Sequence, residues 1–240
     1  MKKVLSGLFG LALLLGGAAI GRACTTDADC DDGNACNGAE FCQAGVCFNR
    51  PPLVCNDGDP CTIDGCDPAT GCTTMPAGGC MLSGQLLKLG SRSTLNLHIQ
   101  TGGEVIDGAF PAQGSSNDPV LHGASIRVSS TAGGFDNTYG LPSLHWAYVG
   151  SGKSFGYFYK DLKGASGPIH QMVVHAARST KVKGRGSALN FTLGADPYPV
   201  DVHIQYGEGL IECLSYGGLK KFVPDVQYYA RMASAPSTCP

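Results

Sequence analysis

The sequence has no second long apolar run after its first twenty residues, and no amphipathic pattern long enough for a ten-residue helix. The first absence excludes a membrane-spanning segment from the rest of the chain. The second argues against α/β folds, in which strands alternate with helices. No C-x-x-C-H pattern occurs, which excludes covalently attached haem. These absences leave a chain built from strands, turns and loops.

The first twenty residues have the order of a secretory signal peptide. Lys2 and Lys3 precede a mostly apolar run that ends at Ile20, and small residues follow it. We therefore predict a signal peptide over residues 1–23 and a mature chain that begins at Cys24. This prediction places the protein outside the cytoplasm, either secreted or periplasmic.

A lipid anchor on Cys24 is an alternative, because a cysteine follows the predicted cleavage site directly. Gly21 stands where lipoprotein signals usually have leucine, and Arg22 is unusual there. A lipid on Cys24 would also leave 11 cysteines, so that one of them would lack a partner. Plain secretion is therefore the favoured interpretation.

The 12 cysteines are an even number, which favours disulfides in an exported chain. Most neighbouring cysteines are separated by four or five residues, not by the two residues that are typical of zinc sites. We predict that all of them form disulfides: Cys24, Cys30, Cys36, Cys42, Cys47, Cys55, Cys61, Cys66, Cys72, Cys80, Cys213 and Cys239.

An internal repeat contains eight of these cysteines. CDDGNACNGAEFCQAGVC (Cys30–Cys47) and CNDGDPCTIDGCDPATGC (Cys55–Cys72) share the opening C-[DN]-D-G-x-x-C. These repeats have almost no apolar residues, so cross-links worth about 3 kcal/mol per short loop must replace a core. We predict a cysteine-rich disulfide repeat module over residues 24–81. Its ten cysteines allow roughly 900 pairings, and no pairing is assigned.

Acidic residues near the start of this module match part of a calcium loop. Asp27, Asp29 and Asp31 alternate, as oxygen ligands of calcium do. Gly33 comes one residue too late for such a loop, and no bidentate acid follows at the usual distance. Asp, Asn and Gly also favour tight turns, so the turn interpretation stays open beside the calcium site. We predict no other cofactor.

Charge and pattern change at Leu82. Residues 24–81 carry nine acids and one base, whereas the chain from Leu82 onward carries ten acids and 13 bases. Short runs with a period of two follow, separated by Gly, Pro, Asn and Asp, and this pattern predicts antiparallel strands. In TLNLHIQ, for example, Leu95, Leu97 and Ile99 alternate with Asn96, His98 and Gln100. We predict a jelly-roll-like antiparallel β-sandwich over residues 82–240, and a mainly β protein.

The stretch AYVGSGKSFGYFYKD, Ala147–Asp161, matches two catalytic patterns. One is the phosphate loop A-x-x-x-x-G-K-S, and the other is the serine-hydrolase pattern G-x-S-x-G. Both patterns require a helix directly after the motif, whereas the alternating SFGYFYKD predicts a strand. We therefore interpret Gly152, Lys153 and Ser154 as part of a hairpin turn, and we assign no catalytic residue.

Two further groups of side chains have more than one interpretation. His98 and His203 take matching places in similar strands, which allows a cross-strand metal pair or simply exposed polar positions. Lys181, Lys183 and Arg185 place three cations on one strand face. Such a face attracts anionic glycans or nucleic acid. It also protects an edge strand from pairing with other chains, and this is the favoured interpretation.

Carboxylate pairs and exposed aromatic rings are the other candidates for a site. Glu208 and Glu212 could share a strand face, but a turn at Gly209 argues against paired-acid catalysis. Aromatic side chains on the surface would support glycan binding, although we expect most of the candidates in the core: Trp146, Tyr148, Tyr157, Tyr198, Tyr206 and Tyr228.

The whole layout resembles a group of secreted proteins of Gram-negative bacteria. The N-terminal DG-rich cysteine repeats carry this resemblance, together with five segments of the β-domain and the final APSTCP: Asp118–Val128, Leu141–Trp146, Phe155–Asp161, Lys181–Phe191 and Ile211–Gly218. The resemblance implies secretion and a β-domain that is closed by Cys213 and Cys239. It implies no activity.

These observations predict an exported, non-enzymatic binding or structural protein. The cysteine-rich module would be an adaptor for a β-sandwich that contacts a glycan, a cell surface or a partner protein. We expect no nucleic-acid partner and no transmembrane segment. The alternative is a secreted hydrolase acting on polysaccharide, which would need two carboxylates or a Ser-His-acid set in one cleft.

Export gives the first testable prediction. We expect the protein from its native compartment to begin at or near Cys24, because the signal peptide has been removed, and to contain no free thiol. N-terminal sequencing and thiol titration under denaturing, non-reducing conditions check both points. An intact Met1 or several reactive thiols would contradict the predicted compartment.

Overall fold

The computed structural model describes residues 19–57, 61–76, 79–102, 110–151, 155–176 and 179–239. These residues form two compact units. The first unit contains the described residues up to Asp57 together with Asp64–Thr74. The second contains the described part of Gly58–Ile63 and of the chain from Met75 onward. The domain boundary between residues 81 and 82 stays a prediction.

Short strands and tight turns build the cysteine-rich part. The described strands here are β1 (Ala19–Ala23), β2 (Glu40–Gln43), β3 (Val46–Asn49), β4 (Thr62–Asp67) and β5 (Gly71–Pro76). β3 lies between β1 and β2, and β4 pairs with β5. Ala44 and Gly45 join β2 to β3 with φ angles of 52° and 82°. Two positive φ angles in succession are what a two-residue hairpin of type I′ requires.

Five disulfides follow the internal repeat in a staggered order. In each repeat the first cysteine is bonded to the fourth. The second cysteine of the first repeat is bonded to the third of the second repeat, and the outer two bonds continue this stagger at both ends. The bonds are Cys24–Cys42, Cys30–Cys47, Cys36–Cys66, Cys55–Cys72 and Cys61–Cys80. The predictions of disulfides and of a cysteine-rich repeat are confirmed.

Sulfur forms the buried cluster of the first unit. Cys24, Cys30 and Cys47 are buried together, and Cys42 packs against them. The cross-links therefore take the place of an apolar core, as expected for a segment with so few apolar residues. The Cys24 Sγ atom, to which a lipid anchor would be attached, is bonded to Cys42.

Two sheets form the β-sandwich. The five-stranded sheet has the order β10-β9-β15-β16-β6, and the eight-stranded sheet has the order β11-β12-β13-β14-β8-β7-β18-β17. The five-stranded sheet contains β6 (Cys80–Met81), β9 (Ala124–Ser130), β10 (Phe135–Leu141), β15 (Val200–Tyr206) and β16 (Leu210–Tyr216). The eight-stranded sheet contains β7 (Gly84–Gly90), β8 (Asn96–Thr101), β11 (Trp146–Val149), β12 (Gly156–Lys160), β13 (Ile169–His175), β14 (Lys181–Arg185), β17 (Leu219–Val223) and β18 (Gln227–Ala233).

A period of two places the core between the sheets. On β15, Val202, Ile204 and Tyr206 are fully buried, while the polar residues between them are partly exposed. On β8, Leu97 and Ile99 are buried in the same way. The prediction of a disulfide-rich module followed by an antiparallel β-sandwich is confirmed.

Helices are few and short in the described part of the chain. One α-helical turn, α1 (Pro119–His122), begins after Asp118, whose Oδ1 atom accepts a hydrogen bond from the N–H group of Val120. The 3₁₀ turns are Asp27–Cys30, Ser143–His145 and Ser187–Leu189. None of these helices approaches the length and apolar character that crossing a membrane requires.

A disulfide joins the C-terminal tail to the sandwich. Cys213 is fully buried on β16, and it is bonded to Cys239 near the end of the chain. The tail around Cys239 consists of small residues and prolines with little apolar surface to bury. Without the bond, a tail of this kind would fray.

Removal of this bond gives the second testable prediction. We expect the double substitution Cys213→Ser and Cys239→Ser to lower the melting temperature of the sandwich by about 5–15 °C. The bond closes a loop with a sequence separation of 26, and such a loop stabilises a fold by about 3–4 kcal/mol in the chain-entropy model. Calorimetry measures the change, with Cys55→Ser and Cys72→Ser as the matched control. Peptide mapping that finds Cys239 bonded to a cysteine before Leu82 would contradict this pairing.

The carboxylic acid of Glu212 lies inside the sandwich. Glu212 on β16 is only 4% exposed, and burial raises its pKa from 4.5 to about 8. Its Oε2 atom has no hydrogen-bond partner among the described residues. Because water would stabilise the charged form, burial favours the protonated acid.

The stability of the sandwich should therefore depend on pH through Glu212. A pKa that is higher in the folded than in the unfolded state contributes stability below pH 4.5, and this contribution is lost as the pH rises towards 8. In the wild type, each unit of difference between the folded and unfolded pKa corresponds to about 1.4 kcal/mol of unfolding free energy. We therefore expect Glu212→Gln to reduce the fall in melting temperature between about pH 5 and 8. The matched control is the exposed Glu208→Gln, which should keep the wild-type slope. Equal slopes in all three proteins would refute the role of Glu212.

Candidate functional site

Strands surround the segment that matches two catalytic motifs. β11 and β12 pair antiparallel, with Trp146 opposite Tyr159 and Val149 opposite Gly156. The prediction of a strand after the motif is confirmed, so the helix that both catalytic motifs require is not there. Gly152, Lys153 and Ser154 lie outside the described residues, and their interpretation as a turn stays a prediction.

The structure brings together a serine, a histidine and an acid that the sequence did not indicate. The Nε2 atom of His145 lies 2.9 Å from the Oγ atom of Ser166 and 4.0 Å from an oxygen of Asp161. A catalytic triad needs the acid on one ring nitrogen and the serine on the other. Here both groups approach the same nitrogen, so this arrangement is not a triad.

Asp161 instead organises the loop that follows β12. Its carboxylate accepts hydrogen bonds from the backbone N–H groups of Ala165 and Ser166, at 3.1 and 2.7 Å. The N–H group of Ser166 is the main cause that holds the pKa of Asp161 below its ordinary value. This carboxylate therefore stays charged and holds the loop closed.

The other candidate carboxylates do not converge either. Glu212 is buried in the core, whereas Glu208 is exposed in the turn before β16. A glycosidase needs two carboxyl groups that face one cleft. These two side chains lie in different environments, so they cannot form such a pair.

The three acids of the proposed calcium site each accept a backbone hydrogen bond. Asp29 accepts from the N–H groups of Thr25 and Thr26, and these bonds lower its pKa to about 2. Asp27 accepts from Cys42, and Asp31 accepts from the N–H group two residues further on. These contacts agree with the turn interpretation, and the calcium site stays a prediction.

The suggested metal pair of His98 and His203 is wrong. His98 lies on β8 in the eight-stranded sheet, and His203 lies on β15 in the five-stranded sheet. Their strands are not neighbours, although the two sequences are similar. Similar alternation gave each histidine an outward position on its own sheet.

The interpretation of Lys181, Lys183 and Arg185 as edge-strand protection is also wrong. β14 pairs with β13 on one side and with β8 on the other, so it has no free edge. All three side chains are nevertheless exposed. They form part of a cationic surface in the middle of the eight-stranded sheet.

A row of polar side chains crosses this sheet. The pairing register places Lys88, His98 and Lys183 directly opposite one another on β7, β8 and β14. Residues that stand opposite each other on neighbouring strands project from the same face. The register extends the row on both sides, which gives the order Lys221, Tyr229, Lys88, His98, Lys183, Gln171 and Lys160.

A groove of about 680 Å³ lies on the same face, and we call it the basic groove. Six cationic or titratable side chains line it: Lys88, Arg92, His98, His170, Lys183 and Arg185. Asn96, Gln227 and Ser93 add neutral polar groups. Gly90 has no side chain on this face, and an added Cβ atom would meet nothing closer than 3.8 Å. The missing side chain therefore keeps the groove open.

Negative charge is missing from this sheet. Its eight strands contain eight Lys or Arg residues and no Asp or Glu, whereas the five-stranded sheet contains three acids. The ion pairs within the described part of the chain are Arg127–Asp136 and Lys220–Asp196, and His145 lies 4.0 Å from Asp161. No residue of the basic groove takes part in them, so its positive charge is not compensated locally.

The environment of His98 keeps its ring neutral at pH 7. Burial lowers its pKa, and the positive charges of Lys183, Lys181 and Lys88 lower it further. A neutral imidazole both donates and accepts hydrogen bonds. At lower pH the ring becomes a further cation in the middle of the row.

Aromatic rings contribute little to the surface. Of the six candidates, only Tyr148 and Tyr198 are substantially exposed. The hydroxyl group of Tyr148 donates to Asp118, and the amino group of Lys220 lies 4.0 Å from the ring centre of Tyr198. The expectation that most of these side chains belong to the core is confirmed.

The sequence alone did not reveal the basic groove. Lys88, Arg92 and His170 lie in distant segments, and they were not recognised as members of one site. The available signal was the absence of acids from every strand of this sheet. That signal becomes visible only when each strand is assigned to its sheet.

Comparison with known proteins concerns the cysteine-rich part alone. A family described as a Dictyostelium (slime mold) repeat matches residues 54–76. "Protein psiQ" of Dictyostelium discoideum is 39% identical over 61 residues, which are 25% of this chain. The match covers only 6% of the length of that protein. No solved structure matches the chain significantly.

These comparisons correct the expected resemblance. The likeness to secreted proteins of Gram-negative bacteria was wrong, because the matching repeat family and the matching protein are from Dictyostelium. The DG-rich pattern of the cysteine repeats was therefore a poor guide to a particular group of proteins. The chain is a cysteine-rich repeat protein with a β-sandwich, and its repeat segment is similar to the Dictyostelium repeat.

Proposed function

We propose that this chain is an exported, non-enzymatic binding protein whose β-sandwich binds a glycan in the basic groove. The cysteine-rich unit would be a spacer or adaptor. The observation that carries this proposal is an open groove, lined by cationic and neutral polar side chains, on the outer face of a sheet. The groove lies on regular strands, which hold its side chains in fixed positions.

The disulfides support export. Six disulfides form from all 12 cysteines, which is expected of proteins that leave the reducing cytosol. A signal peptide over residues 1–23 is part of the proposal, and its removal would also remove β1 (Ala19–Ala23), which pairs with β3.

The lining of the basic groove suits the hydroxyl groups of sugars. Asn96 and Gln227 offer amide donors and acceptors, and Ser93 offers a hydroxyl group. The volume of about 680 Å³ is within the range of about 300–1,000 Å³ that is usual for ligand sites. An open groove of this kind admits an internal segment of a chain, not only its end.

The lining does not favour the alternative of a polysaccharide hydrolase. Glycoside hydrolysis usually needs an acid and a second carboxylate on either side of the scissile bond. No described residue that lines the groove is an Asp or a Glu. A groove that binds without two such groups holds its ligand unchanged.

Filling the groove tests this proposal. We expect Gly90→Tyr to weaken glycan binding on an array by at least about tenfold, because the new ring would occupy space that the ligand needs. The matched control is Gly140→Tyr on β10, which belongs to the five-stranded sheet. An added Cβ atom at Gly140 meets nothing within 4 Å. This control should bind within about twofold of wild type, since exposed substitutions rarely disturb the fold.

Two further measurements complete the experiment. Thermal unfolding shows whether both variants keep the wild-type fold. A panel of chromogenic glycosides and esters, incubated with the full chain, should remain uncleaved. The proposal fails if no glycan binds, if Gly90→Tyr binds as wild type does, or if a glycoside is hydrolysed.

A further inference from the structure

The charge of the basic groove discriminates between classes of glycan. Lys88, Arg92, Lys183 and Arg185 line it, and no described ion pair neutralises any of them. Uncompensated cations that are grouped on one surface attract anions and raise their local concentration. A neutral sugar would gain nothing from this charge.

We propose that the basic groove binds an acidic polysaccharide that carries sulfate or carboxylate groups, and that its chain lies across the strands along the row Lys88, His98, Lys183. This inference rests on the proposed function of glycan binding and names the class of glycan.

The spacing of the row suits a polymer. Neighbouring strands lie about 4.8 Å apart, so Lys88 and Lys183, two strands apart, stand roughly 10 Å from each other. This separation is similar to the length of one disaccharide in an extended polysaccharide. The row continues to Lys221 on β17 and to Lys160 on β12, a span of roughly 30 Å. Several repeating units of a chain can therefore meet a cation each.

The surface is less suited to other polyanions. Single-stranded nucleic acid needs aromatic rings on which its bases stack. The row contains one aromatic ring, Tyr229, and the guanidinium group of Arg231 lies 4.6 Å from the centre of that ring. Insertion into an anionic membrane needs exposed apolar side chains, and none of the large exposed hydrophobic residues lines the groove.

His98 connects binding to pH. Burial lowers the pKa of its ring, and Lys183 and Lys181 on β14 and Lys88 on β7, which face it from the neighbouring strands, lower this pKa further. A bound sulfate or carboxylate above the ring favours the protonated form. Binding therefore takes up a proton, and the affinity rises as the pH falls. His170, Arg92 and Arg185 also line the groove. The two arginines keep their charge at every pH between about 5 and 8.

Charge removal with a matched control tests the inference. The probe is heparin, with polygalacturonate as the carboxylate counterpart and dextran as the neutral control. We expect Lys88→Gln with Lys183→Gln to weaken heparin binding by about tenfold or more. The slope of log Kd against log salt should fall by about two, one for each lost contact. Lys220→Gln with Arg127→Gln removes the same charge outside the groove and should stay within about twofold of wild type.

A change of pH gives an independent measurement. The affinity of the wild type for heparin should rise between about pH 7.5 and 5.5, and His98→Gln should lose part of this rise. A pH-independent affinity of the wild type, or a rise that His98→Gln fully keeps, would contradict a polymer that lies over His98.

The remaining outcomes separate this inference from the proposed function. If a neutral glycan binds the groove and heparin does not, the inference fails and the proposed function stands. If no glycan of either kind binds, both fail. Tighter binding of a single-stranded oligothymidylate, or of phosphatidylserine vesicles, than of heparin would overturn the inference. The inference would also be overturned if Lys88→Gln with Lys183→Gln bound heparin as tightly as Lys220→Gln with Arg127→Gln.

Discussion

Burial of apolar side chains between the two sheets fixes the direction of every other side chain on them. Leu87, Ile99 and Val182 are fully buried and stand opposite one another on three neighbouring strands. Their sequence neighbours Lys88, Lys183 and His98 must therefore point outward. Those three residues are the centre of the cationic row. A shift of one residue in any of these strands would bury charge and expose the core.

The cysteine-rich unit depends on a different constraint. Its segments have too few apolar residues to pay for ordering the chain, and its buried cluster consists of cysteines. Covalent bonds reduce the freedom of the unfolded chain instead. Acidic side chains such as Asp29 and Asp67 then fix the turns by accepting backbone hydrogen bonds. The abundance of Asp and Asn in this unit thus has a structural explanation.

Local patterns predicted the strands and the disulfide chemistry, because each depends on neighbouring residues or on residue type. The alternation in TLNLHIQ located β8, and the even number of cysteines indicated disulfides. The order of the strands within each sheet depends on long-range pairing, which no local pattern contains. For this reason β14 was taken for an edge strand, and a cross-strand pair of His98 and His203 was left open.

The candidate site was missed for the same physical reason. Lys88 and Lys183 become neighbours only because β8 lies between their strands. The sequence shows the charge of each strand. The total charge of a sheet can be counted only when its strands are known. The His145–Ser166 contact likewise joins two loops that the sequence does not relate. Local residue patterns determine the elements of this fold, whereas the geometry between the elements depends on long-range pairing.

The staggered disulfides also change what a single break in the backbone does. The five loops overlap without a gap, so every peptide bond between Cys24 and Cys80 lies inside at least one of them. A protease that cuts this segment once releases no fragment. The disulfides also provide a short covalent path from Cys24 to Cys80, which limits how far a pulling force can extend the chain. This path runs through the bonds Cys24–Cys42, Cys36–Cys66 and Cys61–Cys80 and the segments 36–42 and 61–66. The segment therefore behaves as a tether of limited stretch that survives a cut.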